Sequence, residues 1–147
     1  METKTILLAD DNAEDIELTI AALDEYHLSN AVIVARDGVE TLDYLFRRGA
    51  FAGRQNGDPI LVLLDLKMPK LDGLEVLRQV KSDPKLKIIP IVVLSSSREE
   101  QDIVKGYHLG ANAYVVKPVE FDKFMALVKH LGLFWALINE PPPMRAL

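Results

Sequence analysis

The 147-residue chain contains no cysteine, so disulfide bonds and thiolate metal sites are excluded. No apolar run approaches the roughly 18 residues that a membrane-spanning helix needs. The first apolar run is interrupted early by Asp10 and Asp11, and no signal peptide is apparent. Acidic residues outnumber basic ones, the net charge is −5, and no basic stripe indicates a nucleic-acid binder. These absences predict a soluble cytoplasmic protein without nucleic-acid or membrane partners.

The length and the composition are those of one globular domain. A hydrophobic share of 49% and a charged share of 27% are ordinary for this class. A domain of this length buries about 68–70% of its unfolded surface, which is enough for a full core. Pro141–Pro143 end the last predicted helix. We therefore expect a domain over residues 1–140 and a proline-rich tail over residues 141–147.

Short apolar runs alternate with helical patterns along the whole chain. The runs predict strands at Ile6–Ala9, Ala31–Ala35, Ile60–Leu64, Ile91–Leu94 and Tyr114–Val116. The helical spacing predicts helices at Ala13–Tyr26, Val39–Arg48, Leu74–Lys81, Glu99–Leu109 and Phe121–Ile138. This alternation predicts an α/β fold, a doubly wound five-stranded parallel sheet with helices on both faces. We choose the flavodoxin-like strand order 2-1-3-4-5.

Four of the five strands end on polar residues that could support chemistry. Asp10 and Asp11 follow the first strand, Asp65 the third, Ser95 the fourth and Lys117 the fifth. Ligands bind beyond the carboxyl ends of such strands, and the chosen order places the first strand beside the third. Three carboxylates close together favour a divalent cation such as Mg²⁺. The pattern predicts an aspartate that accepts a phosphoryl group beside a bound metal ion.

Each of these residues can be given a role in that chemistry. Asp65 is the candidate nucleophile, and Asp11 the metal ligand, with Asp10 supporting the ion directly or through water. Ser95 could donate a hydrogen bond to a phosphoryl oxygen, and Lys117 could pair with its charge. Taken singly, each also fits a structural role: Asp65 and Ser95 in caps or turns, and Lys117 as a solvated strand-end lysine.

The four motifs together resemble the receiver domain of two-component response regulators. They occur in the family's order and spacing at Ala9–Asn12, Leu64–Gly73, Leu94–Ser96 and Val115–Pro118. The resemblance implies that Asp65 is the phosphoacceptor and that Asp10 and Asp11 form the acidic pocket. It also implies a third metal contact from the backbone carbonyl of Lys67.

The resemblance further implies a switch in which Ser95 and Lys117 respond to phosphorylation. Tyr114 matches the aromatic residue that changes rotamer when Ser95 moves. A closer resemblance is to the small response regulators of cyanobacterial phytochromes. It rests on the long loop before the third strand, the stretch Lys81–Pro84 and the pair Phe134–Trp135. It implies a sensor histidine kinase, specifically a phytochrome, as the phosphoryl donor.

Three classes of function could use such a site. The first is a non-enzymatic switch that signals through protein–protein contacts and whose only chemistry is its own phosphorylation and dephosphorylation. The second is a phosphorylation-independent adaptor on the same fold, against which the intact acidic pair, Asp65, Ser95 and Lys117 argue. The third is a Mg²⁺-dependent phosphoesterase. It commonly needs a general acid two residues after the nucleophile, a role that Lys67 cannot fill near neutral pH.

The last predicted helix, Phe121–Ile138, carries an apolar stripe wider than packing on a sheet requires. The surplus indicates either a wide core face or an interface. We predict a two-fold homodimer through the surface of the fourth helix, fifth strand and fifth helix, which the family resemblance implies as the switch surface. Tyr107, Leu127 and Phe134 are the candidate contacts.

The segment Gly49–Asp58 is predicted to be a loop because it contains three glycines. It leads into the start of the third strand, away from the predicted site. We therefore expect Arg54, with Arg47 and Arg48 just before the loop, to be solvated rather than catalytic.

Overall fold

Five parallel strands form one sheet in the order β2-β1-β3-β4-β5. The structure is a computed structural model and describes residues 5–24, 32–96, 99–117, 120, 122, 123 and 126. The strands are β1 (Ile6–Ala9), β2 (Val32–Ala35), β3 (Leu61–Asp65), β4 (Ile91–Ser95) and β5 (Ala113–Val116). All four neighbouring pairs are parallel, which confirms the predicted sheet and its order.

The helices follow the predicted alternation with shifts of one or two residues at their ends. They are α1 (Ala13–Asp24), α2 (Gly38–Phe46), α3 (Gly73–Ser82) and α4 (Glu100–His108). Short 3₁₀ turns occur at Gly49–Phe51 and Leu86–Ile88. Of the predicted fifth helix only residues 122, 123 and 126 are described, and they are helical. The predicted tail over residues 141–147 lies outside the described residues.

Both faces of the sheet are buried, because its strands are apolar on both sides. On one face, residues such as Leu7 and Val62 pack against α2 and α3. On the other, residues such as Leu8 and Leu63 pack against Ile16 of α1. The prediction of helices on both faces is confirmed. In the described part of the chain, no helix is long and apolar enough to cross a membrane.

Side-chain caps begin three helices close to the carboxyl ends of the strands. Asn12 accepts a hydrogen bond from the amide of Asp15 (2.9 Å) and so begins α1. Asp37 accepts one from Glu40 N (2.7 Å) at α2, and Asp72 begins α3 in the same way. Each cap is worth about 1 kcal/mol of stability. Helix N-termini, with their free N–H groups, are thus set near the site end of the sheet.

Gly73 allows α3 to begin directly against the end of β3. A Cβ atom at this position would lie 2.2 Å from the carbonyl oxygen of Asp65, closer than any real contact. The amide of Gly73 also donates a hydrogen bond to Leu66 O (2.8 Å). A glycine is therefore required here for the strand end that carries Asp65 to keep its position.

The prediction that Arg54 is solvated is wrong. Its side chain is only 5% exposed, and its guanidinium lies 4.1 Å from the ring centroid of Tyr44. Its Nε donates to Tyr44 O (3.0 Å), and its Nη1 donates to the carbonyls of Asn56 and Gly57 (both 2.9 Å). Arg48, by contrast, is exposed as predicted. The loop composition could not reveal that the chain folds back over the arginine and offers it carbonyl groups.

Candidate functional site

The polar residues at the strand ends meet at the carboxyl edge of the sheet. Asp65 is the last residue of β3 and Ser95 the last of β4, and Ser95 lies in register with Val116 of β5. Asp10 follows β1, which pairs with β3. Lys117 follows β5, and its backbone N–H donates to Ser95 O (2.9 Å). The sheet therefore brings together the residues that the sequence placed at the ends of separate strands.

Three carboxylates form a cluster with a metal-binding arrangement. Asp10, Asp11 and Asp65 each offer an oxygen atom, and the three oxygens lie within 4.8 Å of one another. Asp10 is fully buried and Asp65 nearly so, whereas Asp11 is exposed. Hard divalent cations such as Mg²⁺ prefer oxygen ligands and keep several waters. The cluster, open to solvent at Asp11, fits such an ion.

The ammonium of Lys117 lies among carboxylates in the same crevice. Its Nζ is 2.7 Å from Asp10 Oδ2, 2.9 Å from Asp15 Oδ2 and 3.5 Å from Asp65 Oδ2. The Lys117 side chain is only 8% exposed, so these contacts replace most of its hydration. The crevice thus contains a desolvated cation beside a surplus of negative charge.

Burial is the main influence on the charge state of Asp65. It raises the pKa of the carboxyl to about 6, and the charge of Asp10 adds to the rise, while the Lys117 ammonium opposes it. Burial alone would lower the pKa of Lys117, but its hydrogen bonds to Asp10 and Asp15 outweigh that effect and raise it. At neutral pH Asp65 is therefore largely ionised and able to act as a nucleophile, and Lys117 is charged.

Residues 6–129 match the response regulator receiver domain family. The chain belongs to this family.

Several relatives of this receiver domain are associated with phytochromes. The bacteriophytochrome response regulator RtBRR is 58% identical, covers 97% of this chain and 86% of its own, and has a TM-score of 0.83. The phosphorylated cyanobacterial phytochrome response regulator RcpA is 41% identical over 95% of this chain and 99% of its own, with a TM-score of 0.76.

Response regulator Rcp1 of Synechocystis sp. (strain ATCC 27184 / PCC 6803 / Kazusa) is 36% identical over 132 residues, which are 90% of this chain and 88% of that protein. Its Mn²⁺-bound structure aligns with 95% of this chain and 99% of its own at 35% identity, with a TM-score of 0.75. The predicted kinship with small phytochrome response regulators is confirmed.

In this receiver domain the predicted switch residues Ser95 and Tyr114 lie on β4 and β5, and the predicted interface residue Tyr107 lies on α4. Ser95 is 1% exposed at the site. Tyr114 is half-buried, and a Cβ atom on Gly106 of α4 would lie 3.5 Å from its ring. The amide of Tyr114 donates to the hydroxyl of Tyr107 (3.2 Å), which is 50% exposed. The other two interface candidates, Leu127 and Phe134, lie outside the described residues.

Lys67 lies beside Asp65 with its side chain exposed. Its amide N–H donates a long hydrogen bond to Asp65 Oδ1 (3.5 Å). This contact favours the ionised carboxylate slightly. The role of the Lys67 carbonyl as a metal ligand stays a prediction.

Sequence reasoning missed Asp15 as a residue of the site. An acidic residue in the first turn of a helix is ordinarily explained by the helix dipole, so its position alone carried no further signal. The structure places its carboxylate on Lys117, which lies 102 residues further along the chain. Only the pairing of strands and helices in space brings the two together.

Proposed function

We propose that this protein is a single-domain response regulator that accepts a phosphoryl group on Asp65 from a sensor histidine kinase. The observation that carries the proposal is the desolvated pair of Asp65 and Lys117 (3.5 Å) beside the three-carboxylate cluster. A buried carboxylate next to a fixed cation and a place for a metal ion is suited to receive a phosphoryl group.

The transfer is a displacement at phosphorus. An oxygen of the ionised Asp65 carboxylate attacks the phosphorus of a phosphohistidine and forms an O–P bond. The P–N bond breaks, and its electron pair stays with the imidazole, which takes up one proton. Lys117 is positioned to pair with a phosphoryl oxygen, and the hydroxyl of Ser95 is at the same edge to donate a hydrogen bond.

Asp10, Asp11 and Asp65 would hold Mg²⁺ in this reaction, with the backbone carbonyl of Lys67 as a further ligand. When bound, the ion supplies neutralisation of the charge on the phosphoryl oxygens. The mutual approach of the three carboxylate oxygens within 4.8 Å supports this assignment. The Mn²⁺-bound structure of the relative Rcp1 supports a divalent ion at this site as well.

We propose a phytochrome as the histidine kinase. RtBRR and RcpA, which each match at least 90% of this chain, are phytochrome response regulators, and Rcp1 matches 90% of it. We propose further that the phosphorylated form signals through protein contacts in the cytoplasm. The half-exposed Tyr107, hydrogen-bonded to Tyr114, supports an output surface on α4 and β5. The homodimer through Tyr107, Leu127 and Phe134 stays a prediction.

The two competing functions have less support. A phosphorylation-independent adaptor would gain nothing from retaining three buried or clustered aspartates around a desolvated lysine, since burying such charges is costly. A phosphoesterase commonly needs a general acid two residues after the nucleophile, and this chain has the exposed Lys67 there.

The test is mass spectrometry after incubation with acetyl phosphate and Mg²⁺. We expect the wild type to gain the mass of one phosphoryl group and Asp65→Asn to gain none, because the amide cannot form the acyl phosphate. Asp43→Asn, which removes an acidic group from α2 away from the site, is the matched control and should be phosphorylated like the wild type. An unmodified wild type would favour the adaptor, and a phosphorylated Asp65→Asn would refute the assignment of the acceptor.

A further inference from the structure

Two of the three donors of the Lys117 ammonium are committed to hydrogen bonds with Asp10 and Asp15. It has three N–H donors, and three carboxylates lie at 2.7 Å (Asp10), 2.9 Å (Asp15) and 3.5 Å (Asp65). With a side chain only 8% exposed, Lys117 cannot add a fourth partner from the solvent side. The phosphoryl group would stand on Asp65, so a shift of the ammonium towards it would lengthen the contact with Asp10 or with Asp15.

We propose that Asp15 is a positioning residue that holds Lys117 before phosphorylation and is released when Lys117 moves to the phosphoryl group. This role of Asp15 rests on the proposed function, because it sets how readily Lys117 can reach a phosphoryl group on Asp65. Before phosphorylation, Asp15 holds the ammonium nearer to itself than to Asp65, by 2.9 Å against 3.5 Å. Its carboxylate thus competes with the incoming phosphoryl group for Lys117.

Asp10 is the more costly partner to release. It is fully buried, and its Oδ1 also accepts a hydrogen bond from the amide of Asn12 (3.0 Å). Without Lys117 this buried charge would have only the bound metal ion to compensate it, and a buried charge that loses a cation partner is costly. Releasing Asp10 therefore costs more than releasing Asp15.

Asp15 can be released cheaply. Its side chain is 35% exposed, and it lies in the first turn of α1, where the helix dipole stabilises a carboxylate in either position. A small rotation of the side chain would move its carboxylate into water.

The charges at Asp65 give the direction of the change. Phosphorylation replaces one carboxylate charge by a phosphoryl group of about −1.5 to −2, with three strong acceptor oxygens. The pull on Lys117 from the side of Asp65 therefore increases, while the pull from Asp15 does not.

Removing the charge of Asp15 should shift two binding equilibria in opposite directions. Lys117 would then lean towards Asp65, so Mg²⁺ alone should bind about twofold more weakly, because the ammonium repels it. Beryllofluoride, a stable analogue of the phosphoryl group, should bind about fivefold more tightly at saturating Mg²⁺, because Lys117 no longer has to leave a carboxylate. A merely structural role for Asp15 would weaken both.

The experiment is a calorimetric titration of Mg²⁺ alone, and of beryllofluoride at saturating Mg²⁺, for four proteins. They are the wild type, Asp15→Asn, Asp15→Glu and Glu14→Gln. Glu14 is an exposed acid in the same first turn, so Glu14→Gln removes the same charge from the helix terminus without touching Lys117. We expect opposite shifts in Asp15→Asn, near wild-type values in Glu14→Gln, and a return towards wild type in Asp15→Glu.

Shifts of the same sign in Asp15→Asn, or values equal to those of Glu14→Gln, would overturn the role of Asp15. A wild type that binds no beryllofluoride in the presence of Mg²⁺ would instead overturn the proposed phosphoacceptor function, whatever the variants do. The two failures are therefore distinguishable.

Discussion

Lys117 and Arg54, both in the described part of the chain, have cationic side chains that are buried, and their surroundings differ. Lys117 is 8% exposed and is held by three carboxylates at the carboxyl edge of the sheet. Arg54 is 5% exposed and is held by backbone carbonyls and the ring of Tyr44, with an ion pair to Asp58 at 3.7 Å.

The partners decide what each cation can do. Around Lys117 negative charge is in excess, which suits the proposed binding of a divalent cation and the proposed exchange of partners on phosphorylation. Around Arg54 most of the acceptors are neutral carbonyls, which a substrate or a metal ion would not displace. A desolvated cation among carboxylates is suited to switching, and one among carbonyls stabilises a loop.

The largest expected effect comes from removing the cation of the site. We expect Lys117→Met to lower the free energy of unfolding by about 3–5 kcal/mol in chelator, because Asp10 and Asp65 lose the charge that compensates them. Mg²⁺ should stabilise this variant more than the wild type, since the ammonium no longer competes with it. Urea unfolding with chelator and with Mg²⁺ measures both effects. A loss that is the same in both conditions would contradict the charge argument.

Removing the other cation should cost stability that no metal ion restores. We expect Arg54→Met to lower the free energy of unfolding by about 2–4 kcal/mol, because the carbonyls of Tyr44, Asn56 and Gly57 lose their donor. Phosphorylation by acetyl phosphate should be retained.

The matched control for that variant is Arg48→Met. Its side chain is 54% exposed and makes one ion pair with Asp43, so we expect a change within about 0.5 kcal/mol. Denaturant unfolding of the three proteins would settle the comparison. Similar losses of unfolding free energy in both variants would contradict the role of Arg54 in holding its loop. A loss in Arg54→Met that Mg²⁺ reverses would show that this role depends on the metal site.

A smaller effect should come from neutralising Asp65, the proposed phosphoacceptor. A carboxyl whose pKa is raised on folding, here to about 6 by burial, destabilises the fold when it is ionised. We therefore expect metal-free Asp65→Asn to be more stable than the wild type by on the order of 1–3 kcal/mol at pH 7.5.

This advantage should depend on pH in a defined way. The destabilisation of the wild type by ionised Asp65 is complete above the folded pKa of about 6. The stability advantage of Asp65→Asn should therefore shrink as the pH falls and vanish near pH 4, the unfolded pKa of an aspartate. Unfolding curves of both proteins from pH 7.5 to pH 4 measure the trend. An advantage that grew towards low pH would mean that the Lys117 ammonium outweighs the burial of Asp65.

The fold and most of the site follow from local patterns in the chain. Continuous apolar runs require burial on both faces, and their alternation with helices requires parallel strands with right-handed crossovers. Asp65, Ser95 and Lys117 each stand at the end of such a run, so their meeting at one edge was predictable once the strand order was chosen. The family motifs around them add to that prediction.

The partners of two charged side chains were not predictable in this way. Asp15 looked like an ordinary first-turn acid, and Arg54 like a solvated loop residue. Their contacts depend on where separate elements come to lie, and Asp15 meets a lysine 102 residues away. A residue's type and the pattern around it determine whether it lies in a strand, a helix or a loop. Tertiary packing decides which charge the residue pairs with and how far the pair is desolvated, because distance and desolvation are properties of the assembled fold.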